Sequence, residues 1–370
     1  MSPQVRHPVR LAHLGLGAFH RAHQAWYTET VNGSGGDWGI AAFSGRSPVA
    51  ATQLARQDCR YSLVFRGAEQ DTAMVIESIV AAHDGADSRA WLEVLADPSV
   101  SVLTLTVTEA GYLPGASPPA RIVAGLRARR AAAAGGLAVV SCDNVLNNGG
   151  VLRAAVLGLA DTDLRSWISD NVSFVSTMVD RITPATTAED QRVVRELVGW
   201  DDRAPVVTEP FTEWVLQGEF PAGRPAWHVA GAQFVDDIAP YEKRKLWFLN
   251  AGHSLLAYRG LEVGYSTVFE AWRDPVLHAE VEQLWAEARE VLDLPSLQLD
   301  DWLAAVRVRW DNSRIEHRLA QIARGGAQKI SARIRAVATE RQAAGLPPGI
   351  AGPETIAAWE RYEKTHPDGD

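Results

Sequence analysis

The run Ser101–Thr108, SVLTLTVT, constrains the fold more than any other segment. It is rich in β-branched residues, which fit a strand. It is also apolar nearly throughout, so both faces of that strand need cover. Val9–Leu14, Trp38–Phe43 and Leu137–Ser141 are similar runs, and a helical stretch, Ala22–Val31, follows the first. Strands buried on both faces and alternating with helices predict an α/β doubly wound domain built on a parallel sheet.

From about Tyr241 long helical patterns dominate, with few β-type runs. Asp274-Pro275, Leu294-Pro295 and Gly345-Leu346-Pro347-Pro348 read as breaks between helices. The expected organisation is a Rossmann-type dinucleotide-binding domain over 1–238 and a mostly α-helical substrate and catalytic domain over 239–370, with the boundary near Asp236–Pro240. After Gly345 the chain is Pro/Gly-rich, then has one short helical stretch and a polar end expected to fray.

Composition narrows the function classes. Hydrophobic residues make up 46% and charged residues 22%, which suits a soluble globular protein with a sizeable core. A net charge of -9 disfavours the nucleic-acid backbone and anionic membrane surfaces as partners. No run of about 18 apolar residues predicts a membrane span, and Met1–Arg10 lacks the apolar run of a signal peptide. Two cysteines, Cys59 and Cys142, cannot form a disulfide framework and fit a cytoplasmic compartment. The ten histidines show no HExxH or comparable spacing, so no metal site is expected.

Gly15-Leu16-Gly17-Ala18-Phe19-His20 follows the first apolar run and precedes a helix. Two glycines at i and i+2 permit a tight turn and close approach of a pyrophosphate to a helix N-terminus. His20 replaces the third glycine of the usual fingerprint, and an ordinary strand–helix turn could carry the same two glycines. The acid that would read a ribose 2′-OH is missing after the second run, where Phe43-Ser44-Gly45-Arg46-Ser47 stands. Arg46 could accept a 2′-phosphate, which leaves NADP open beside NAD, or could be a solvated loop arginine.

The chain holds only four lysines, Lys243, Lys245, Lys329 and Lys364. Two lie in Tyr241–Tyr258, YEKRKLWFLNAGHSLLAY. On a straight α-helix at about 100° per residue, with Lys245 at 0°, Glu242 falls near about 60°, His253 near about 80° and Asn250 near about 140°. The other positions are mostly apolar, so the helix should be buried with these four on one stripe. Unpaired burial of such groups costs several kcal/mol, so they must face partners or a cavity. A lysine desolvated there has a lowered pKa and can take a hydroxyl proton. Asn250 can donate to a developing alkoxide, His253 can bind a neighbouring hydroxyl, and Glu242 could pass the proton to water. A structural, salt-bridged helix would account for Glu242 and Lys245 alone.

These residues, in this order, resemble the polyol-specific long-chain dehydrogenases, the mannitol dehydrogenase family. The resemblance rests on His13–Gln24 (HLGLGAFHRAHQ), Thr106–Tyr112 (TVTEAGY), Ser141–Asn144 (SCDN), Asn171–Phe174 (NVSF) with Met178–Pro184 (MVDRITP), Glu209–Phe211 (EPF) and the Lys245, Asn250, His253 spacing. It implies an NAD- or NADP-dependent, metal-independent oxidoreductase acting on an open-chain polyol/ketose or an aldonate/ketouronate pair, such as mannitol and fructose or mannonate and fructuronate. It further implies Lys245 as general acid/base, Asn250 and Asn144 as the two halves of an oxyanion hole, His253 as a substrate ligand and Glu242 as a proton relay. Asp180 would lie near nicotinamide and substrate, and Gly15, Gly17, Phe19, Thr108 and Glu109 would meet the cofactor. On the late helix Lys329 matches a substrate-binding lysine, but Gln321 stands where mannitol dehydrogenases carry an arginine, which looks more like the fructuronate reductase branch. Such proteins continue with more helix beyond the position of Asp370, and the family includes monomers, so a monomer or small homo-oligomer is expected. The alternative reading is a catalytically impaired relative that binds nucleotide or sugar.

Overall fold

The computed structural model describes residues 6–45, 47–113, 115–292 and 299–366. Two compact units form, one of Met1–Arg66 with Gln70–Ile238, the other of Gly67–Glu69 with Ala239–Asp370.

The first unit contains β1 (Val9–Leu14), β2 (Gly39–Phe43), β3 (Tyr61–Arg66), β4 (Asp71–Ile76), β5 (Ile79–His83), β6 (Val102–Leu105), β7 (Leu137–Ser141), β8 (Val172–Asp180), β9 (Val206–Thr208), β10 (Glu213–Gln217) and β11 (Gln233–Phe234). One sheet runs β11-β10-β8-β7-β6-β1-β2-β5 and a smaller one β4-β3-β9. From β5 across to β8 every pairing is parallel. The chain winds one way from β1 to β5 and the other way from β6 to β8, so the strand order reverses between β1 and β6, the crevice where α/β sheets bind dinucleotides.

Alternate strand residues feed opposite faces of this sheet. Leu11, Ile40, Val102 and Val140 join one buried cluster with Tyr27, Trp214 and Trp227. Ala12, Ala41, Leu103 and Val139 join another with Trp91, Ile122 and Leu126. Burying both faces explains the unbroken apolar runs. Arg129, fully buried, donates to the carbonyls of Leu95, Asp97, Ala134, Gly135 and Gly136, which satisfies its guanidinium without a carboxylate.

Several elements depart from the sequence reading. The helix expected over Ala22–Val31 is two helices, Ala18–Ala22 and Gln24–Gly33, broken at His23. There the imidazole Nε2 donates to the Glu213 carbonyl at 3.0 Å, a tertiary bond that holds the break. The strand within Ser101–Thr108 spans only Val102–Leu105. β8 is not apparent in the apolar pattern because Ser176 and Thr177 are buried in it; the Thr177 hydroxyl donates to the Ser141 carbonyl at 2.5 Å. β10 pairs antiparallel with β8, and β3, β4 and β9 stand apart in their own sheet.

Among the described residues the regular elements of the second unit are all helices, joined by turns, apart from an isolated bridge between Thr267 and Arg318. Its core gathers Trp247, Trp272, Trp285, Trp302 and Trp310. Asp274-Pro275 is a break because Asp274 caps the next helix, Pro275–Arg289, accepting from the amides of Val276 and Leu277. The final helix, Ala351–Thr365, is 15 residues long and not short. Buried Glu287 anchors its start by accepting from the amides of Ile350 and Ala351. Leu294-Pro295 and the polar end lie outside the described residues. Among the described residues no helix is long and apolar enough to cross a membrane.

Candidate functional site

The first candidate site lies at the carboxyl ends of β1 and β6. Gly15 has φ +108°, and a side chain there would meet the Thr106 carbonyl oxygen at 2.1 Å. Gly17 is different: a Cβ would touch only the Gly15 carbonyl oxygen, at 3.6 Å, so the turn presents an open backbone face. That is the cradle a pyrophosphate needs. Thr108 and Glu109 follow β6 and are exposed, and half-buried Phe19 stacks on His23 with centroids 5.0 Å apart. Arg46 lies outside the described residues. Ser44 Oγ accepts from the Gly85 amide at 2.8 Å and ties the loops after β2 and β5 together.

His20, in place of a third glycine, is fully buried and stacks on His13 with centroids 3.3 Å apart and planes 9° from parallel. The Thr106 hydroxyl donates to the Gly15 carbonyl at 2.7 Å, so it can only accept from His13 Nε2, at 3.3 Å. His13 Nδ1 then accepts from the Thr104 hydroxyl at 2.8 Å. Burial pushes the His13 pKa down to about 3 and that of His20 well below the usual histidine range. Two neutral imidazoles and two hydroxyls thus brace the glycine turn against β6.

A second network surrounds Asn144, which is exposed in the loop after β7. Its neighbour Asp143 accepts from the Tyr112 hydroxyl, from the Val145 amide at 3.0 Å and from Asn148 Nδ2 at 3.3 Å. Asn148, fully buried, also donates to the Thr177 carbonyl at 3.0 Å and accepts from the Thr177 amide at 2.9 Å. The loops after β6 and β7 are thereby fastened to β8, which ends in buried Asp180. Burial raises the pKa of Asp143, and burial beside that carboxylate raises the pKa of Tyr112. Tyr112 and Asp143 sit inside the TVTEAGY and SCDN motifs; their pairing carried no sequence signal.

The third constellation is in the helical unit, and here the straight-helix geometry needs correction. Ala239–Arg244 and Ala251–Glu262 are α-helical, but Lys245–Asn250 is a π-turn. An i→i+5 turn advances each residue by roughly 80° rather than 100°, which brings Asn250 from about 140° to about 40° of Lys245 and narrows the four-residue stripe to about 80° of arc. Donors outside the turn support it. Trp285 Nε1 donates to the Phe248 carbonyl at 2.9 Å, and Arg333 Nη1 to the Asn250 carbonyl at 3.2 Å. Arg333 itself lies in a second π-turn, Ser331–Arg335. Such turns cluster at functional sites because they re-aim side chains without ending the helix.

Glu242 and His253 are buried, while Lys245 and Asn250 are half-buried on the same stripe. His253 Nε2 accepts from Trp310 Nε1 at 2.9 Å. Burial, then His317, Arg309, Arg333 and Lys245, hold its pKa well below the usual range. Lys329 donates to the Ile322 carbonyl at 2.8 Å and to that of Arg324, closing the short helix Leu319–Ala323, and Gln321 is exposed on that helix. Trp285, Trp310 and Arg333 were not evident from the sequence as partners of this stripe.

Comparison with known proteins covers nearly the whole chain. Residues 9–229 match the family described as Mannitol dehydrogenase Rossmann domain, and residues 237–369 match Mannitol dehydrogenase C-terminal domain. The chain is 37% identical over 359 residues to D-mannonate oxidoreductase of Escherichia coli (strain K12), covering 88% of this chain and 74% of that protein. It is 34% identical over 391 residues to mannitol 2-dehydrogenase of Cereibacter sphaeroides, covering 95% and 80%. Among solved structures, the Pseudomonas fluorescens mannitol 2-dehydrogenase ternary complex with NAD and D-mannitol aligns with a TM-score of 0.85 at 34% identity, over 97% of this chain and 80% of that one.

Proposed function

Since the chain belongs to the mannitol dehydrogenase family, we propose that it interconverts an open-chain secondary alcohol and its ketone, a polyol/ketose or aldonate/ketouronate pair, with a nicotinamide dinucleotide and without a metal ion. The observation that carries this reading is the stripe of Glu242, Lys245, Asn250 and His253, drawn together by the π-turn Lys245–Asn250. The open face at Gly17, beside the strand-order reversal, fits a dinucleotide. NAD is favoured, because the similar solved enzyme holds NAD. Bound there, it would supply the acceptor or donor of the hydride.

In the oxidation direction, Lys245 takes the hydroxyl proton of the substrate and Glu242 relays it to water. Asn250 donates to the oxygen as charge develops, an interaction whose loss typically costs 10²–10³ in turnover. Asn144 takes the companion donor role and Asp180 a place near nicotinamide and substrate, on the motif resemblance. His253 binds a neighbouring substrate oxygen, with Lys329 and Gln321 as further substrate contacts.

The test is absorbance at 340 nm with hexitols, pentitols, aldonates and their keto partners, each with NAD and NADP. Turnover that Lys245→Ala abolishes, with dinucleotide affinity retained, supports the reading. No turnover across the panel with retained nucleotide binding would instead leave a nucleotide- or sugar-binding protein.

A further inference from the structure

His253 and Trp310 meet through a bond whose direction has only one solution. Trp310 ends the helix Leu299–Trp310, and its Nε1 lies 2.9 Å from His253 Nε2. An indole N–H donates and cannot accept, so Nε2 must hold its lone pair. A neutral imidazole with an unprotonated Nε2 carries its hydrogen on Nδ1. Adding a second proton would set two N–H groups against each other.

The indole has little freedom to leave. It packs against Trp272 at 5.1 Å and Trp285 at 5.4 Å between centroids. Gly252, one residue before the histidine, is what admits it: a Cβ there would fall 2.6 Å from Trp310 Cη2. The groups facing His253 oppose its protonation. His317 makes an edge contact at 4.7 Å between centroids, and Arg309, Arg333 and Lys245 add positive charge.

We propose that Trp310 is a positioning residue that locks His253 as the Nδ1–H tautomer, so that His253 meets a substrate oxygen only as a hydrogen-bond donor. The proposal rests on the reading of His253 as a substrate ligand. It takes acid/base work away from His253 and leaves that work to Lys245. It also defines the substrate group at this point as an oxygen offering a lone pair. Gly252 acquires a role too, as the gap through which the indole reaches the ring.

The direct test is two-bond proton–nitrogen NMR on the full chain with ¹⁵N-labelled histidine, from pH 8 to pH 5, without substrate. His253 is assigned by the resonance lost in His253→Asn. The expected result is protonation at Nδ1 and no titration down to pH 5. In Trp310→Phe the signal should shift toward the Nε2–H form or titrate within that range. In that variant KM should rise at least tenfold, with a smaller fall in kcat, and KM should become pH-dependent. Should Trp310→Phe not fold, two variants of His253 give an independent answer. Asn places its amide near the Nδ1 position and Gln near Nε2, so His253→Asn should bind substrate at least tenfold better than His253→Gln. An Nε2–H signal in the unsubstituted chain, or better binding by the Gln variant, overturns the proposal. The tautomer is measured without turnover, so an Nδ1–H signal in a chain inactive on every polyol and sugar acid would count against the oxidoreductase reading and leave the lock in place.

Discussion

The Thr106 hydroxyl donates to the Gly15 carbonyl at 2.7 Å, and the Cβ that Gly15 lacks would stand 2.1 Å from the Thr106 carbonyl oxygen. Only glycine satisfies both that approach and a φ of +108°. Gly15→Ala should therefore destabilise the first unit by at least about 2 kcal/mol, since left-handed strain alone costs roughly 1–2 kcal/mol and the overlap adds to it. The midpoint of urea unfolding reads this directly. A midpoint equal to that of the unsubstituted chain would contradict the turn geometry.

Gly17→Ala should behave in the opposite way. Its φ is -122°, and the added methyl meets only the Gly15 carbonyl oxygen, at 3.6 Å. Folding stability should change by less than about 0.5 kcal/mol, the scale of a substitution that meets no packing or backbone conflict. The methyl would project into the face offered to a pyrophosphate, so dinucleotide affinity should fall at least tenfold in a fluorescence titration. Loss of stability with unchanged affinity would place the cofactor elsewhere.

The pair of glycines also shows what could be read from sequence. Their position after an apolar run placed the turn between strand and helix, and the two-faced apolar runs of β1 and β7 gave those strands their observed limits. β8 stayed hidden because its buried Ser176 and Thr177 look polar in sequence but are buried in the structure. The π-turn at Lys245–Asn250 was equally hidden, because its support comes from Trp285 and Arg333, far along the chain. A fixed 100° advance therefore put Glu242, Lys245, Asn250 and His253 on one side but spread them too widely. His20 was read only as a missing glycine, whereas stacking on His13 gives it a packing role.

Asn148 offers a test of the scaffold behind Asn144. Its amide joins Asp143 to both backbone groups of Thr177 and is fully buried. Asn148→Ala leaves an N–H and a carbonyl of β8 without those partners, at a cost of roughly 1–3 kcal/mol each. The expected result is a loss of about 2–4 kcal/mol in chemical denaturation. If the loop is what positions Asn144, kcat should also fall in the folded variant while dinucleotide affinity stays within about threefold. Full activity in the folded variant would remove the positioning role from this network.

The stacked histidines set the response to acid. His13 has a pKa near 3 in the folded chain against 6.5 for an unperturbed histidine, with burial the leading cause. Between those values the unfolded chain binds the proton and the folded chain does not, so stability rises with pH in that window. The contribution of neutral His13 is whole above about pH 6.5 and is lost as pH falls from there toward 3. Well inside the window the slope is about 1.4 kcal/mol per pH unit for one such histidine, and His20 and His253, shifted in the same direction, steepen it. Unfolding free energies measured from pH 7.5 to 4.5 should fall accordingly. In His13→Asn, which has nothing to titrate at that position, the slope below pH 6 should be shallower by about 1.4 kcal/mol per unit, whatever the variant loses at neutral pH. Equal slopes in the two proteins would mean that His13 takes up its proton while the fold is intact, and the neutral brace of the glycine turn would have to be abandoned.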